Sequence, residues 1–176
     1  MEAAFALYGE QGFERTTVAE IAKRAGLTER TFFRHFDDKR EVLFAGADAL
    51  KERLIGTVAN EPASAAPIDA AAAGLEAAGA IIQEGGELPR QRQAIIASST
   101  ELQERELIKL ASLASALAEA LRGRGVEDPA AGLTAEAGIA VFKIAFERWI
   151  ADPAQQDLPR LIRASLEELR AVTAGR

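Results

Sequence analysis

The stretch TVAEIAKRAGLTERTFFRHFDDKRE, residues 17–41, decides the fold of the N-terminal part of the chain. It contains three signals for the start of a helix. Thr17 begins a capping box, in which its hydroxyl accepts a hydrogen bond from the backbone N–H three residues later and an acidic side chain at that position reaches back. Thr28 and Asp38 are typical N-cap residues for the two helices that follow. Because Gly26 lies in the short turn between the first two helices, the stretch predicts a helix-turn-helix.

The second helix of this pair has two unlike faces. On a helix, Phe32 and Phe36 share one face and are predicted to point inward against Val18, Ile21 and Leu27. Arg30 and Arg34 are also four residues apart and point to the opposite side, with Phe33 on a flank. A short helix with an apolar anchor and a cationic outer face suits recognition in a DNA major groove, where side chains must reach base edges and phosphates. The alternative is that the two Arg residues only solubilise a short helix.

Charge is unevenly distributed along the chain. The whole chain of 176 residues has a formal net charge of −6. Residues 15–40 contain seven basic and four acidic side chains, which gives +3, so the remainder of the chain carries −9. A basic segment in an acidic protein predicts a local contact with a polyanion, although a solvated helix face would have the same composition.

The composition excludes several kinds of site. Cysteine is absent and there is a single His, so disulfides, thiolate chemistry and multi-His metal sites are unavailable. No pair of a nucleophile and a base stands out, and we expect neither an enzyme nor a bound metal or cofactor. No apolar run approaches the roughly 18–20 residues that span a bilayer, and no signal peptide opens the sequence. We therefore expect a cytoplasmic protein without membrane contact.

Apolar residues recur at helical spacing along nearly the whole chain, and no stretch alternates with a period of two. The sequence therefore predicts an all-α protein of about nine helices, with a three-helix domain at residues 1–46 and a larger helical domain at residues 47–176. A fourth helix is predicted to carry the apolar residues from Val42 to Leu54, and a connector containing two Pro follows at residues 59–67. Later helices are expected at residues 68–84, 89–99, 101–122, 132–151 and 157–172.

Residues 1–45, about a quarter of the chain, resemble the DNA-binding domain of the TetR family of bacterial transcriptional regulators. The family pattern has a Gly-aromatic pair, two Thr, an Ile-Ala pair, an Ala-Gly turn, an aromatic segment with His or Tyr, and then Lys and Leu. It is matched here by Gly12-Phe13, Thr16-Thr17, Ile21-Ala22, Ala25-Gly26-Leu27, Thr28, Phe33-Arg34-His35-Phe36, Lys39 and Leu43. The remainder of the chain matches the family only in character, through helices of suitable number and length.

The resemblance implies a homodimeric repressor that binds double-stranded operator DNA of pseudo-palindromic sequence and is released by a small, hydrophobic effector. By linkage, the effector must prefer the conformation in which the two recognition helices are badly spaced, and helix four is the expected lever. The alternative is a helical ligand-binding or scaffold protein that does not bind DNA. Two departures support that alternative. Phe33 stands where Tyr is common, and the first helix starts late, which is also consistent with missing N-terminal residues.

The resemblance also implies roles for individual residues, with phosphate contacts from Thr17, Phe33, His35 and Lys39 and base contacts from residues 29–31. The residues expected at the DNA are Thr17, Thr28, Glu29, Arg30, Thr31, Phe33, Arg34, His35 and Lys39. Candidate contacts of the effector in the larger domain and the helix before it are Phe44, Leu50, Gln93, Ser98, Arg105 and Phe142. The last two helices are expected to pair across the dimer through Phe146, Trp149, Leu158, Ile162, Leu166 and Leu169. The alternative is that the apolar stripes of these helices face the chain's own core.

Overall fold

The computed structural model describes residues 1–152 and 157–175. Over these ranges it contains nine α-helices and no β-strand, which confirms the predicted all-α fold. No helix of the described ranges is both long enough and apolar enough to cross a membrane. The α-helices are α1 (Glu2–Gln11), α2 (Val18–Arg24), α3 (Glu29–Phe33), α4 (Ala47–Asn60), α5 (Pro67–Glu84), α6 (Leu88–Ala97), α7 (Thr100–Gly123), α8 (Ala130–Ala151) and α9 (Leu158–Thr173).

The chain folds into two compact units. The first unit consists of Met1–Ala47 and Glu87–Leu107, and the second consists of Asp48–Gly86 and Ile108–Arg176. The boundary therefore falls inside α7, which contributes its start to the first unit and its remainder to the second. α6 belongs to the first unit, although the sequence groups it with the later helices. The functional division between residues 46 and 47 stays a prediction.

The predicted helix-turn-helix is formed by α2 and α3. The Thr17 hydroxyl accepts a hydrogen bond from the N–H of Glu20 at 3.2 Å, and the Glu20 carboxylate accepts from the N–H of Thr17 at 2.8 Å, so the capping box is complete. α2 ends where Gly26 adopts φ 68° and the N–H of Leu27 bonds the carbonyl of Ala22 at 2.8 Å. This left-handed turn favours Gly because Gly has no Cβ.

The prediction of an uninterrupted fourth helix is wrong. Residues Glu41–Phe44 form a short 3-10 helix, and α4 begins only at Ala47. Between them, Ala45 has ψ 135° and Gly46 has φ 89°, so the chain changes direction. Apolar spacing does not reveal such a break, because a single Gly inside a helical pattern costs only about 1 kcal/mol and is often tolerated.

The core of the second unit is formed where α5, α8 and α9 pack against one another. α5 is built largely of Ala and Gly, and this composition permits a close approach between helices. A Cβ added to Gly79 would lie 2.8 Å from Cδ1 of Ile162, and one added to Gly138 on α8 would lie 3.2 Å from Cδ1 of Leu75. Small residues on α5 therefore set the spacing of its neighbours.

Four of the six residues predicted for a dimer interface belong to this core. Trp149, Leu158, Ile162 and Leu166 are at most 4% exposed within one chain, so they offer no surface to a second copy. Phe146 and Leu169 are half-buried against the same core. The apolar stripes of α8 and α9 therefore face their own chain, which is the alternative that the sequence left open.

Candidate nucleic-acid interface

α3 is anchored by its aromatic side chains. Thr28 caps the helix by accepting a hydrogen bond from the N–H of Thr31 at 3.2 Å. Phe32 is only 5% exposed in the core of the first unit, and the half-buried Phe36 packs against the same core with its ring centroid 5.4 Å from that of Phe32. Both aromatics therefore point inward, as the helical phase predicts.

The opposite side of α3 is exposed and cationic. Arg30, Arg34 and His35 are all exposed, as is Glu29 in the first turn. Nη2 of Arg34 lies 3.4 Å from Nε2 of His35, so these two side chains lie side by side at the end of the helix. Phe33 is 52% exposed beside them. Five of the residues expected at the DNA, namely Glu29, Arg30, Phe33, Arg34 and His35, are therefore exposed, whereas Thr31 is half-buried.

The hydroxyl groups of the helix starts are engaged within the chain. Thr17 Oγ1 lies 2.8 Å from Oε2 of Glu20, and its N–H bonds the same carboxylate, which holds the pKa of Glu20 below its usual value. Oγ1 of Thr28 and Oγ1 of Thr31 lie 3.0 Å apart and share a hydrogen bond. These hydroxyls position the helix starts, and the phosphate contact predicted for Thr17 requires its hydroxyl to change partner.

Most of the unpaired positive charge of residues 15–40 lies on the two helices of the motif. Arg24 is held by a bidentate ion pair with Glu10 at 2.6 and 2.9 Å, which also lowers the pKa of that carboxyl. Within the described ranges, by contrast, Lys23, Arg30 and Arg34 have no ion-pair partner and are exposed. Arg40 is paired with Asp38 and with Glu101, both at 2.5 Å. The Nε of Arg15 donates to the carbonyl of Gln11. The last cation of the segment is Lys39.

Lys39 does not extend outward from the first unit. Its Nζ donates to three backbone carbonyls, those of Phe13 at 2.8 Å, Glu14 at 3.2 Å and Thr16 at 2.9 Å. The ammonium also lies 4.3 Å from the centroid of the Phe13 ring. An ammonium has three N–H donors, and all three are occupied here. This geometry differs from the phosphate contact predicted for the residue.

Sequence reasoning missed one exposed apolar residue on this surface. Leu27, in the turn between α2 and α3, is expected from its apolar character to pack inward against Phe32, yet it is 50% exposed. The turn sets its direction, because Gly26 reverses the chain and brings Leu27 out of the helical phase of both helices. Leu27, in the turn, and Phe33, on α3, are thus two exposed apolar side chains of the helix-turn-helix.

The six candidate effector contacts are divided between the two units. Phe44, Gln93, Ser98 and Arg105 belong to the first unit, whereas Leu50 and Phe142 belong to the second. The exposed Ser98 donates its hydroxyl to the carbonyl of Ile95 in its own helix at 2.7 Å, and Arg105 pairs with Glu41 at 2.7 Å. Phe44 is buried in the first unit, with the guanidinium of Arg92 at 5.0 Å from its ring centroid; Leu50 is half-buried against the core of the second unit.

Gln93 differs from the other polar candidates. Its Oε1 is buried and has no hydrogen-bond partner among the described residues. A buried amide oxygen without a partner carries a desolvation penalty, so a hydrogen-bond donor placed beside it would be stabilising.

An aromatic ladder lies along α8 in the second unit. The rings of Phe142 and Phe146 are stacked with centroids 5.9 Å apart, and Phe146 lies at the same distance from Trp149. Phe142 and Phe146 occupy the helix face that also carries the buried Ile139 and Trp149, yet both are only half-buried. The inward face of α8 therefore remains partly accessible at these two rings.

The outer face of α8 carries exposed apolar residues that sequence reasoning did not single out. Leu133 is 68% exposed and Ile144 is 51% exposed, and Ala140 between them is also exposed. Their spacing of seven and four residues places them on one side of the helix, opposite the buried Trp149. The signal was present in the sequence but was hidden by the stronger aromatic stripe.

Family comparisons match both parts of the chain. Residues 1–45 match the family described as bacterial regulatory proteins of the tetR family. Residues 65–174, more than half of the chain, match the family described as the MftR C-terminal domain. The first match covers α1, α2, α3 and the 3-10 helix, and thus the surface described above.

Individual relatives agree with this result. The regulator TcmR of Streptomyces glaucescens is 34% identical over 82 residues, which is 47% of this chain and only 36% of that relative. Two solved structures have the same fold. SmeT of Stenotrophomonas maltophilia in complex with triclosan has a TM-score of 0.65 at 22% identity, covering 95% of this chain and 88% of SmeT. A TetR-family regulator from Mesorhizobium loti has a TM-score of 0.60 at 19% identity, covering 97% and 93%.

Proposed function

Because the chain belongs to the TetR family of bacterial regulatory proteins, and is thus a transcriptional regulator, we propose that it is a repressor whose dimer binds a pseudo-palindromic operator and releases it when a small hydrophobic molecule binds. The observation that carries the proposal is that Lys23 on α2, Arg30 on α3 and Arg34 at the end of α3 are exposed and have no ion-pair partner among the described residues, in an otherwise acidic chain. These charges are available to phosphates and bases, whereas Arg24 and Arg40 are engaged within the chain.

α3 is the element proposed to enter the major groove. In a helix-turn-helix, residues near the start of the second helix reach base edges, and Arg30 is the second residue of α3. A guanidinium can bind O6 and N7 of guanine with two parallel hydrogen bonds, which favours a G·C pair opposite Arg30. Arg34, one turn later, and Lys23, at the end of α2, are proposed to contact phosphates. The exposed Leu27 and Phe33 are suited to contact thymine methyl groups.

The proposed dimer uses the outer face of α8. A two-fold interface buries the same patch of both copies, and the exposed Leu133, Ala140 and Ile144 form an apolar stripe suited to pair with itself. The ion pair between Arg148 and Glu168, at 2.9 Å, lies beside this stripe and links α8 to α9, which keeps the polar edge of the patch ordered. The interface proposed from the structure is therefore the face opposite to the residues predicted from the sequence.

The proposed effector site lies at the half-buried rings of Phe142 and Phe146. Apolar half-buried residues on the inward sides of α4 and α7, among them Leu50 and Leu113, pack against the same core. A site lined by stacked aromatics and aliphatic side chains favours a planar apolar molecule. SmeT, which has the same fold, was solved in complex with triclosan. Triclosan can therefore serve as a probe for this site.

Coupling between effector and DNA is proposed to pass through α7 rather than through helix four. The chain from Lys39 to α4 is interrupted at Gly46, so it is not a continuous rod. α7 is a single helix whose residues up to Leu107 belong to the first unit and whose later residues belong to the second. We propose that the effector binds α7 and α8 more tightly in a conformation that does not fit DNA. By linkage, the effector then weakens DNA binding by the same factor by which DNA weakens effector binding.

The decisive experiment measures binding of the full chain to duplex DNA of random sequence as a function of salt. We expect a linear fall of log K with log salt, with a slope of about −0.9 for each phosphate contact. Changing Lys23, Arg30 and Arg34 together to Gln should remove most of this slope. Arg163→Gln is the matched control, because Arg163 is exposed but paired with Glu76 in the second unit. Binding that does not respond to salt, or a triple variant that behaves as the wild type does, would contradict the proposal.

A further inference from the structure

The ammonium of Lys39 has all three of its N–H donors engaged within the first unit. Each of its three N–H donors has a backbone carbonyl within 3.2 Å, and the ring of Phe13 lies under the ammonium. Phe13 itself is 3% exposed, and its ring packs edge-to-face with that of Tyr8, with the two centroids 5.3 Å apart. An exposed lysine that binds phosphate would keep its ammonium in water. The ammonium of Lys39 instead contacts three backbone carbonyls and one aromatic ring.

The three carbonyls belong to one segment, the turn that connects α1 to α2. This turn begins where Gly12 ends α1 with φ 88° and finishes at Thr17, the N-cap of α2. A turn leaves carbonyls without partners in regular structure, and such groups need donors when they are partly buried. The hydroxyl of Thr16, which is 1% exposed, donates to the carbonyl of Gly12 at 2.8 Å, and the N–H of Thr16 donates to the carbonyl of Phe13 at 3.2 Å. Lys39 is a further donor to the Phe13 carbonyl and donates to those of Glu14 and Thr16.

The backbone of Lys39 is fixed as well. Its carbonyl accepts a hydrogen bond from the phenol of Tyr8 at 2.6 Å. Burial, together with the nearby charge of Asp38, raises the pKa of Tyr8, so the phenol remains a donor at neutral pH. One residue thus joins α1, the turn before α2 and the segment that follows α3.

We propose that Lys39 is a positioning residue that fixes the α1–α2 turn against the segment after α3, and that it does not contact phosphate. It would thereby set the position of Thr17 and the start of α2 relative to α3, and so the fit of the whole motif to DNA. This inference rests on the proposed DNA-binding function. Lys39 would thus have a structural role, whereas Arg34 would contact phosphate, although both are cations of the basic segment 15–40.

Substitution by Arg separates the two roles. A phosphate contact tolerates Arg, whose guanidinium binds phosphate at least as well as an ammonium does. A compact site of three converging carbonyls does not, because the guanidinium is larger, planar and fork-shaped. Lys39→Met removes the charge with little change in side-chain length, and Tyr8→Phe removes only the 2.6 Å hydrogen bond to the Lys39 carbonyl.

The test uses the full chain and measures binding to duplex DNA over a series of salt concentrations, at a temperature at least about 20 °C below the Tm of every variant so that all remain folded. We expect Lys39→Met and Lys39→Arg to lose roughly tenfold or more in affinity at every salt concentration with the slope of the wild type, and Tyr8→Phe to lose less in the same way. Arg34→Ala should instead flatten the slope by about 0.9.

Stability provides the second measurement. We expect Lys39→Met to lower the Tm by about 5 °C or more, because it removes the side-chain donor to three carbonyls, of which the Phe13 carbonyl keeps the N–H of Thr16 at 3.2 Å. Lys23→Met, at an exposed lysine without an ion-pair partner among the described residues, should change the Tm little. A Lys39→Arg variant that binds as the wild type does, or a Lys39→Met variant with a flattened slope and an unchanged Tm, would overturn the inference. If the wild type itself shows no salt-sensitive binding, the proposed function fails, and the Tm difference alone then decides whether Lys39 holds the turn.

Discussion

Gly74 on α5 lies so close to α4 that a Cβ at this position would be 2.7 Å from Cγ2 of Val58 and 3.0 Å from the carbonyl oxygen of Leu54. Real Cβ atoms do not approach other heavy atoms at the shorter distance, and the backbone of α4 cannot yield as a flexible side chain would. The small residues of α5 are therefore a requirement of packing, in a helix where Gly would otherwise be unfavourable.

Gly74→Ala should therefore destabilise the protein. The gain of about 1 kcal/mol in helix propensity is outweighed by an overpacking cost of about 1–3 kcal/mol. Gly56→Ala on α4 is the matched control, because a Cβ there meets nothing within 4 Å, and it should stabilise the protein by about 0.5–1 kcal/mol. Urea denaturation of both variants measures the difference, and equal stabilisation by both would show that α5 and α4 can move apart.

Arg30→Ala should change the sequence preference of DNA binding. If Arg30 binds a guanine with two hydrogen bonds, its loss should cost about 1–3 kcal/mol on the preferred site and relax the preference at one base pair. Selection of bound sequences from a random pool, before and after the substitution, measures this. Lys23→Ala is the control and should weaken binding to all sequences alike. Equal losses on specific and random DNA for Arg30→Ala would identify it as a phosphate contact only.

Ile144→Glu should weaken the dimer. The side chain is 51% exposed within one chain, so a charge there need not disturb the core, but it would lie in the proposed interface between copies. Sedimentation or light scattering over a range of concentrations should show an increased fraction of monomer. Ile108→Glu, at a residue that is 57% exposed on α7, serves as the control and should leave the association unchanged. Association that survives Ile144→Glu and Leu133→Glu together would place the interface elsewhere.

Phe146→Ala should reduce effector binding without loss of DNA binding. With triclosan as the probe, the Tm of the wild type is expected to rise with ligand concentration, because a ligand that binds only the folded state stabilises it. The variant should show a smaller rise, since one ring of the stacked pair is missing. Lys143→Ala, at an exposed residue of the same helix, should respond as the wild type does. An undiminished response in Phe146→Ala and Phe142→Ala would exclude these rings from the site.

Asp38→Asn should reduce the acid sensitivity of folding. The guanidinium of Arg40 holds the pKa of Asp38 below its usual value, chiefly by hydrogen bonding. A folded-state pKa below the unfolded value of about 3.9 means that the carboxylate contributes stability above that pH and loses it as pH falls toward the folded pKa. Because the side chain of Asp38 is about a third exposed, the contribution should not exceed about 1 kcal/mol.

Thermal unfolding between pH 7 and pH 3 tests this expectation. Asn can still accept hydrogen bonds from the N–H groups of Arg40 and Glu41, so these two bonds are kept while the charge is removed. The difference in Tm between wild type and Asp38→Asn should therefore shrink as the pH falls below about 4. A difference that stays constant over the whole range would show that the ion pair contributes no pH-dependent stability.

Much of the recognition motif could be predicted from sequence because it is stabilised locally. The hydrogen bonds of Thr17 and Thr28 span three residues, and the inward direction of Phe32 follows from helical phase. The break before α4 could not be predicted in this way. Helical spacing continues through Gly46, and only the backbone dihedral angles reveal that the helix stops and starts again.

The sequence by itself determined that the chain is helical, that a helix-turn-helix lies near the N-terminus, and which face of α3 carries Arg30 and Arg34, because these features depend on contacts within one or two helical turns. Only the tertiary structure decided that Lys39 binds the carbonyls of Phe13, Glu14 and Thr16, and that Trp149 and Ile162 are core residues. Both outcomes depend on partners more than ten residues away in the chain. An apolar stripe or a lysine can be satisfied in several ways, and packing with distant residues selects one of them.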